Sequence, residues 1–83
     1  MDEYHGMSIE RSYTVVLQPE EEGGFSISVP ALPEIATQAE TIDEALACAR
    51  EAIALVLADR KERGENIPPS DTSAVVERVA VAV

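Results

Sequence analysis

Apolar and polar residues alternate with a period of two in the first half of the chain, a pattern typical of β-strands. Residues 12–18 are rich in β-branched side chains, and residues 25–29 alternate strictly between large apolar side chains and serine. Between them, residues 19–24 combine proline, three glutamates and two glycines, which predicts a solvated hairpin connection. Residues 35–39 follow a proline-containing turn and predict a shorter third strand.

After residue 40 the apolar residues recur at spacings of three and four, which predicts an amphipathic helix. Thr41 and Glu44 have the spacing of a capping box, in which the threonine oxygen accepts a helix amide and the glutamate reaches back. Basic residues near the end of the segment favour the negative pole of a helix, and Gly64 predicts its end. The predicted apolar face consists of Ile42, Ala45, Leu46, Ala49, Ile53, Val56 and Leu57.

Residues 75–81 predict a fourth strand, after a loop in which Pro68 and Pro69 prevent the helix from continuing. This strand has apolar residues on both faces, which indicates that it is well covered or used at an interface. The predicted fold is α+β with the order β-β-β-α-β: a three-stranded antiparallel meander, one helix packed on one sheet face, and a parallel fourth strand. The opposite sheet face is then left for solvent or a partner.

The chain has 83 residues, enough for one domain at residues 12–83, and residues 1–11 are expected to be a mobile tail that starts at Met1 or Met7. So short a chain buries only about 60% of its unfolded surface, which favours a homo-oligomer, a dimer or tetramer. Sixteen acids against six bases give a formal net charge of −10. This charge disfavours nucleic acid and anionic membranes and suits a basic protein partner, although solubility alone explains it equally well.

Few residues are candidates for catalysis or for binding a cofactor. His5 is the only histidine and lies in the predicted tail, whereas Cys48 is the only cysteine and is interpreted as an inert packing residue. The glutamates at 20–22 are interpreted as a solvated hairpin tip rather than as a metal site. We therefore expect no catalytic residue, no metal and no cofactor. The chain lacks a signal-peptide pattern and an apolar run of the roughly 20 residues that span a membrane, so a cytoplasmic protein is expected.

An ordered set of short motifs across roughly residues 12–81 resembles the HicB family of antitoxins. The segments are Tyr13-Thr14-Val15, Glu22-Gly23-Gly24-Phe25, Val29-Pro30-Ala31-Leu32-Pro33, Thr37-Gln38-Ala39, Thr41-Ile42-Asp43-Glu44-Ala45 and Ile67-Pro68-Pro69. The resemblance implies a degenerate RNase H-like fold. It also implies binding of a small basic HicA ribonuclease, whose catalytic histidine the antitoxin covers. Family members usually carry a C-terminal DNA-binding segment, whereas this chain ends at Val83, so we expect no separate DNA-binding domain and no direct binding of nucleic acid.

The leading interpretation is a protein-interaction domain that neutralises a HicA-like toxin. The expected partner-binding residues are Phe25, Ser26 and Ser28 on the second strand and, as steering charges, Glu20, Glu21 and Glu22. An orphan homo-oligomeric domain without a surviving toxin is the main alternative, with dimers formed through a sheet edge or the uncovered face. Residues 29–33 are interpreted as a fixed turn, or else as a rigid apolar edge that meets a partner. An enzyme is the least supported reading.

Overall fold

The computed structural model describes residues 10–72 and 74–83 and shows an α+β fold of three strands and one long helix. The strands form a single antiparallel sheet with the order β1-β2-β3, which confirms the predicted meander. Residues 1–9 of the predicted tail, with His5, lie outside the described residues. The elements are β1 (Val16–Pro19), β2 (Phe25–Ser28), β3 (Ala36–Ala39) and α1 (Ile42–Glu62).

One face of the sheet carries the helix, and the other face is open. Ile27 in the central strand is buried and packs against Ala45 and Ala49 of α1. Side chains of successive residues point to opposite faces of a strand, so Ser26 and Ser28 lie on the side away from the helix. The predicted one-helix, one-face arrangement is therefore confirmed.

The connection between β2 and β3 supplies a second part of the core. The Leu32 N–H donates to the Val29 carbonyl oxygen at 2.8 Å, and the Ile35 N–H donates to the Leu32 carbonyl oxygen at 3.0 Å. These two successive turns bury Val29, Leu32 and Ile35 as one cluster, against which the second half of α1 packs. Val29 and Leu32 are therefore core residues that fix the turn, whereas Pro30, Ala31 and Pro33 between and beside them keep solvent contact.

The helix begins at the predicted capping motif. The Glu44 N–H donates to Thr41 Oγ1 at 3.1 Å, and Glu44 Oε1 accepts a hydrogen bond from the Glu40 N–H at 3.1 Å. The returning carboxylate therefore binds the amide one residue before the one that the capping box predicts. Two amides are satisfied either way, so the start of α1 is fixed by Thr41 and Glu44 together.

The helix ends at Glu62, two residues before Gly64, the residue that the sequence predicts as its stop. The Glu65 N–H donates to the Arg60 carbonyl oxygen at 2.8 Å, and the Gly64 N–H donates to that of Lys61 at 3.1 Å. Gly64 has φ +73°, a left-handed conformation that glycine adopts without a steric cost. This pair of bonds is a Schellman motif, which satisfies carbonyl groups at the end of the helix.

The first strand is shorter than the sequence pattern predicts. β1 starts at Val16, because residues 12–14 bond to the loop that follows the helix. The Ser12 carbonyl oxygen accepts from the Asp71 N–H at 3.1 Å, and the Thr14 N–H donates to the Asp71 carboxylate at 2.9 and 3.0 Å. Just before this contact, Arg11 Nη1 donates to the Pro68 carbonyl oxygen at 2.9 Å. The segment before β1 is thereby held beside the loop that follows α1.

The fourth strand predicted at 75–81 is not formed in the described chain. Residues 74–83 adopt neither helix nor strand, and every one of them is exposed. A strand needs a neighbouring strand edge to satisfy its backbone N–H and C=O groups. Thr72 is the last described residue that bonds to residues 12–14, so residues 74–83 have no such edge there. Within the described residues, no helix is long and apolar enough to cross a lipid bilayer.

Candidate functional site

The hairpin between β1 and β2 presents three adjacent carboxylates to solvent. The Glu20 N–H donates to the Gly24 carbonyl oxygen at 2.9 Å, and the Gly23 N–H donates to the Glu20 carbonyl oxygen at 3.0 Å. The backbone thus closes on itself, and the side chains of Glu20, Glu21 and Glu22 are all exposed. The hairpin is a preformed concentration of negative charge, as the sequence indicates.

The hairpin rests against the end of β3 through Gly24. A Cβ atom at this position would lie 2.8 Å from the Ala39 carbonyl oxygen, closer than real Cβ contacts allow. Gly24 also has φ +78°, whereas side-chain-bearing residues avoid this region. Glycine at 24 therefore lets the acidic tip lie close to the residues that end β3.

A surface depression of about 390 Å³, here named the acidic depression, opens where the hairpin meets the end of β3. Its carboxylates come from two separate segments of the chain, since Glu40 joins the hairpin glutamates there. Phe25 is the only phenylalanine in the chain, and it supplies an apolar wall. The residues that line the depression are Glu20, Glu21, Glu22, Gly23, Phe25, Gln38, Ala39 and Glu40.

The open sheet face adjoins this depression and has a different character. The register aligns Gln18, Ser26 and Gln38 in one row across the sheet, and Val16, Ser28 and Ala36 in the next. These side chains are small or uncharged, and all three strands contribute to the face. A shallow depression of about 630 Å³ is lined by Ser26, Ile27, Ser28, Ala36, Thr37 and Gln38.

The six residues expected to bind a partner thus fall on two adjoining surfaces. The three hairpin glutamates and Phe25 line the acidic depression, whereas Ser26 and Ser28 line the open sheet face. Gln38 belongs to both surfaces and joins them. Sequence reasoning missed Gln38 and Glu40, although the antiparallel pairing of β2 with β3 places Ala39 opposite Phe25 and so brings Glu40 to the hairpin.

The remaining candidates for chemistry are a metal-binding cluster and the thiol of Cys48. Within residues 10–72 and 74–83, no three histidine, cysteine, aspartate or glutamate side chains are grouped so that they would hold a metal ion. Cys48 is a free, half-buried thiol that packs against the core formed by Ile27, Ala45 and Ala49. The arrangement of charge and surface suits the docking of another molecule.

An ion pair outside this site joins the helix to the turn before β3. Arg60 Nη2 donates to Glu34 Oε1 at 2.8 Å, and Arg60 Nε donates to Glu34 Oε2 at 3.0 Å. The pKa of Glu34 lies below its ordinary value, first because of a hydrogen bond from the backbone amide of Glu34 itself and second because of the Arg60 side chain. Both partners retain solvent contact, so the pair positions the turn without forming a buried charge site.

The fold and its acidic end define a small α+β domain with one helix, an open sheet face and a negatively charged hairpin. The sequence model of the family described as the HicB-like antitoxin of bacterial toxin–antitoxin systems matches residues 13–81. The chain therefore belongs to the HicB-like antitoxin family.

Individual relatives support this membership over a common stretch. Antitoxin HicB 1 of Photorhabdus laumondii is 43% identical over 56 residues, which cover 68% of this chain and 36% of that protein. The antitoxin HicB of Escherichia coli K12 is 39% identical over 56 residues, which cover 68% of this chain and 41% of that protein. The UPF0150 protein of Thermoplasma acidophilum is 41% identical over 56 residues, 68% of this chain and 81% of that protein. The matched stretch thus covers well under half the length of the two antitoxins.

Proposed function

We propose that this chain is the toxin-binding domain of an antitoxin and that its partner is a small basic HicA-like ribonuclease. Membership of the HicB-like antitoxin family over residues 13–81 carries the proposal, and two matched relatives are named antitoxins. The acidic depression supports the sign of the partner's charge, because four carboxylates around one aromatic ring suit lysine and arginine side chains. The domain acts in the cytoplasm, where its target cleaves RNA.

The proposed action is stoichiometric and makes or breaks no covalent bond. Glu20, Glu21 and Glu22 steer the approach of the toxin, since a net charge of −10 attracts a basic protein over several ångströms. Phe25 then gives the contact an apolar anchor, and Ser26 and Ser28 belong to a flat uncharged surface that excludes water around it. Inhibition follows because the bound domain covers the catalytic histidine of the toxin.

We further propose that residues 12–83 complete an RNase H-like domain in which residues 75–81 form a fourth strand parallel to β1. Support comes from the loop after the helix, which runs beside residues 12–14 in the same direction. Asp71 bonds to Ser12, and the next residue along, Thr72, accepts a hydrogen bond from Thr14 Oγ1 at 3.4 Å. A parallel strand continued from this start would follow a right-handed crossover.

A charge-reversal experiment tests toxin binding. We expect the double variant Glu21→Lys and Glu22→Lys to lower the association rate constant with a purified HicA-like ribonuclease by about tenfold at low salt, because steering depends on local charge. The control is Glu51→Lys with Glu62→Lys, two exposed helix positions that change the net charge by the same amount. Surface plasmon resonance gives the rates, and cleavage of a test RNA gives the inhibition.

The outcome distinguishes a site from a general charge effect. A change confined to the hairpin variant, and lost in about 1 M salt where the screening length is about 3 Å, supports the acidic depression. Equal effects in both double variants would remove the assignment of the site. If no HicA-like ribonuclease of the same organism bound the chain at micromolar concentration, the proposed function would be wrong.

The exposed C-terminal residues favour the second candidate, a stand-alone homo-oligomer with no surviving toxin. Residues 74–83 are exposed and rich in valine, as expected for a segment that is covered in an assembly. Self-association alone would not exclude toxin binding, since the acidic depression and this segment involve different residues. Light scattering at high concentration tests self-association without any toxin.

A further inference from the structure

Residues 74–83, here named the valine arm, have an exposed apolar surface that a single chain does not explain. Val75, Val76, Val79 and Val81 are 75–83% exposed, and the arm contains five valines in ten residues. Its two charged residues, Glu77 and Arg78, have opposite signs, so its side chains carry no net charge. A contiguous apolar stretch of β-branched residues is typical of a strand that is covered on both faces.

The two sides of the arm differ in size. If the arm is extended, Val75, Val79, Val81 and Val83 form one row with Glu77. The other row is mostly small and contains Ala74, Val76, Ala80 and Ala82, with Arg78. Such a strand needs a deep apolar surface on one side and a shallow, small-residue surface on the other.

The same chain has an unpaired strand edge on the outer side of β1 that could accept the arm. Among the described residues β1 pairs only with β2, so its outer edge has backbone groups that are ready for another strand. This edge strand, with the sequence VLQP, is uncharged. An edge and an arm without net charge let two strongly anionic molecules approach each other there, whereas most of the surface repels a second copy.

A groove of about 640 Å³ between residues 10–15 and α1 lies next to this edge. Its apolar lining includes Val15, Leu46, Ile53 and Leu57, which suits the larger row of valines. Arg11 and Arg50 also line the groove with Glu10, so the charges favour an acidic residue such as Glu77. The smaller row of the arm would extend the open sheet face, whose side chains are also small.

The valine arm does not pair with the outer edge of β1 in its own chain. Residues 70–72 are held beside residues 12–14, yet no described hydrogen bond joins residues 74–83 to the rest of the described chain. The arm therefore leaves the body next to the edge that it would complement. Two copies related by a two-fold axis can each place an arm on the other, which gives a closed, reciprocal interface.

We propose that the valine arm of each chain pairs as a strand with the outer edge of β1 in a second copy and packs its larger valine row into the groove of that copy. The occupant is a copy of this chain because the arm supplies the chemistry that the edge and the groove require. This strand exchange between two copies extends the proposal of a fourth strand, because it states that the strand beside β1 comes from the second copy. It does not depend on toxin binding.

Light scattering and amide hydrogen exchange on the full chain test whether two copies exchange their valine arms. We expect the unmodified chain to be dimeric or larger at micromolar concentrations, and Val79→Asp to raise the dissociation constant by more than about tenfold. The control, Leu55→Asp, changes a residue of α1 that is 67% exposed and lies outside the groove, and it should leave the assembly intact. The conservative variant Val79→Ile should assemble normally. Circular dichroism verifies that each variant keeps its helix.

Hydrogen exchange identifies the chain that pairs with the arm. Protection of arm and β1 amides that increases with protein concentration, and that disappears in Val79→Asp, supports exchange between copies. A monomer at all concentrations would overturn the proposal, and a monomer with protected arm amides would show that the arm folds onto its own chain. Assembly that Val79→Asp leaves unchanged, or that Leu55→Asp weakens equally, would assign self-association to another surface.

Discussion

Gly24 shows how a single residue shapes the candidate site. It combines a positive φ with a 2.8 Å approach of any added Cβ to the Ala39 carbonyl oxygen. Because glycine tolerates both, the hairpin can lie against the end of β3, where Glu40 joins the three hairpin glutamates. The geometry of the acidic depression therefore depends on a residue that has no side chain.

Gly24→Ala should destabilise the protein by roughly 1–3 kcal/mol, because strain in φ and the contact with backbone act together. Gly64→Ala is the matched control, since Gly64 has a similar φ of +73° and nothing lies within 4 Å of its added Cβ. Urea unfolding of both variants separates the contact from the φ strain. Equal losses of unfolding free energy would show that the approach to Ala39 costs nothing.

Glu34 predicts a weak pH dependence of stability. Its own backbone amide and Arg60 lower its pKa from 4.5 in the folded chain, so folding favours the ionised form. This contribution is complete above pH 4.5 and is lost as the pH falls through the lower folded pKa. It is small, because the carboxylate is exposed and solvent screens the pair.

Glu34→Gln should therefore be slightly less stable than the unmodified chain at pH 7, and the difference should vanish towards pH 3. Thermal unfolding followed by circular dichroism across this range measures it. Glu51→Gln, at an exposed helix position, is the control and should show no such convergence. A difference that persists unchanged at low pH would mean that Arg60 contributes through packing and not through ionic attraction.

At the residue scale, the exposed hairpin at 20–24 was predicted correctly because its signal is local. The acidic run at 20–22 is visible in the sequence, and the structure places it at an exposed hairpin tip. Gln38 and Glu40 were missed because they come close to that hairpin only through the pairing of β2 with β3. The register of that pairing cannot be read from a single sequence. That the hairpin glutamates at 20–22, Phe25, Ser26 and Ser28 contact a partner remains a prediction.

At the scale of elements, the helix was predicted more accurately than the strands. The signals that bound α1, Thr41 with Glu44 at one end and Gly64 at the other, act within a few residues of the helix itself. Strand formation depends on a distant partner, and residues 12–15 show the consequence. Their strand-like alternation is real, but residues 12 and 14 bond to the loop near Asp71 and not to a strand.

Asp71 is the residue through which that loop acts on the first segment. Its carboxylate accepts hydrogen bonds from the Thr14 N–H and from Thr14 Oγ1, the latter at 3.2 Å. Asp71→Ala should lower the unfolding free energy by about 1–3 kcal/mol, as expected for hydrogen bonds to a half-buried charged group. Urea unfolding measures the loss, and Glu51→Ala serves as the control at an exposed position.

The Thr14 amide gives a more specific test of the same contact. Its hydrogen exchange should accelerate in Asp71→Ala, whereas the amides of β2 and β3 should keep their relative protection. If the Thr14 amide exchanged as slowly as in the unmodified protein, another acceptor would hold it. The role assigned to Asp71 would then be wrong.

At the scale of the molecule, charge and apolar surface impose opposite demands. A net charge of −10 opposes the meeting of two copies, and it favours a basic partner. The uncharged edge of β1 and the valine arm are regions where that repulsion is locally weak. The strand that the sequence pattern predicts at 75–81 is not formed in the described chain, and no pattern within one sequence specifies which molecule would supply a neighbouring edge.

The contact between residues 12–14 and 70–72 holds two points of the chain together, the segment before β1 and the loop after α1. Both points lie at one corner of the sheet, at the end of β1 opposite the hairpin. A polypeptide fused before residue 12 would therefore be attached at that corner. The acidic hairpin, at the other end of β1, would then stay clear of the fused polypeptide.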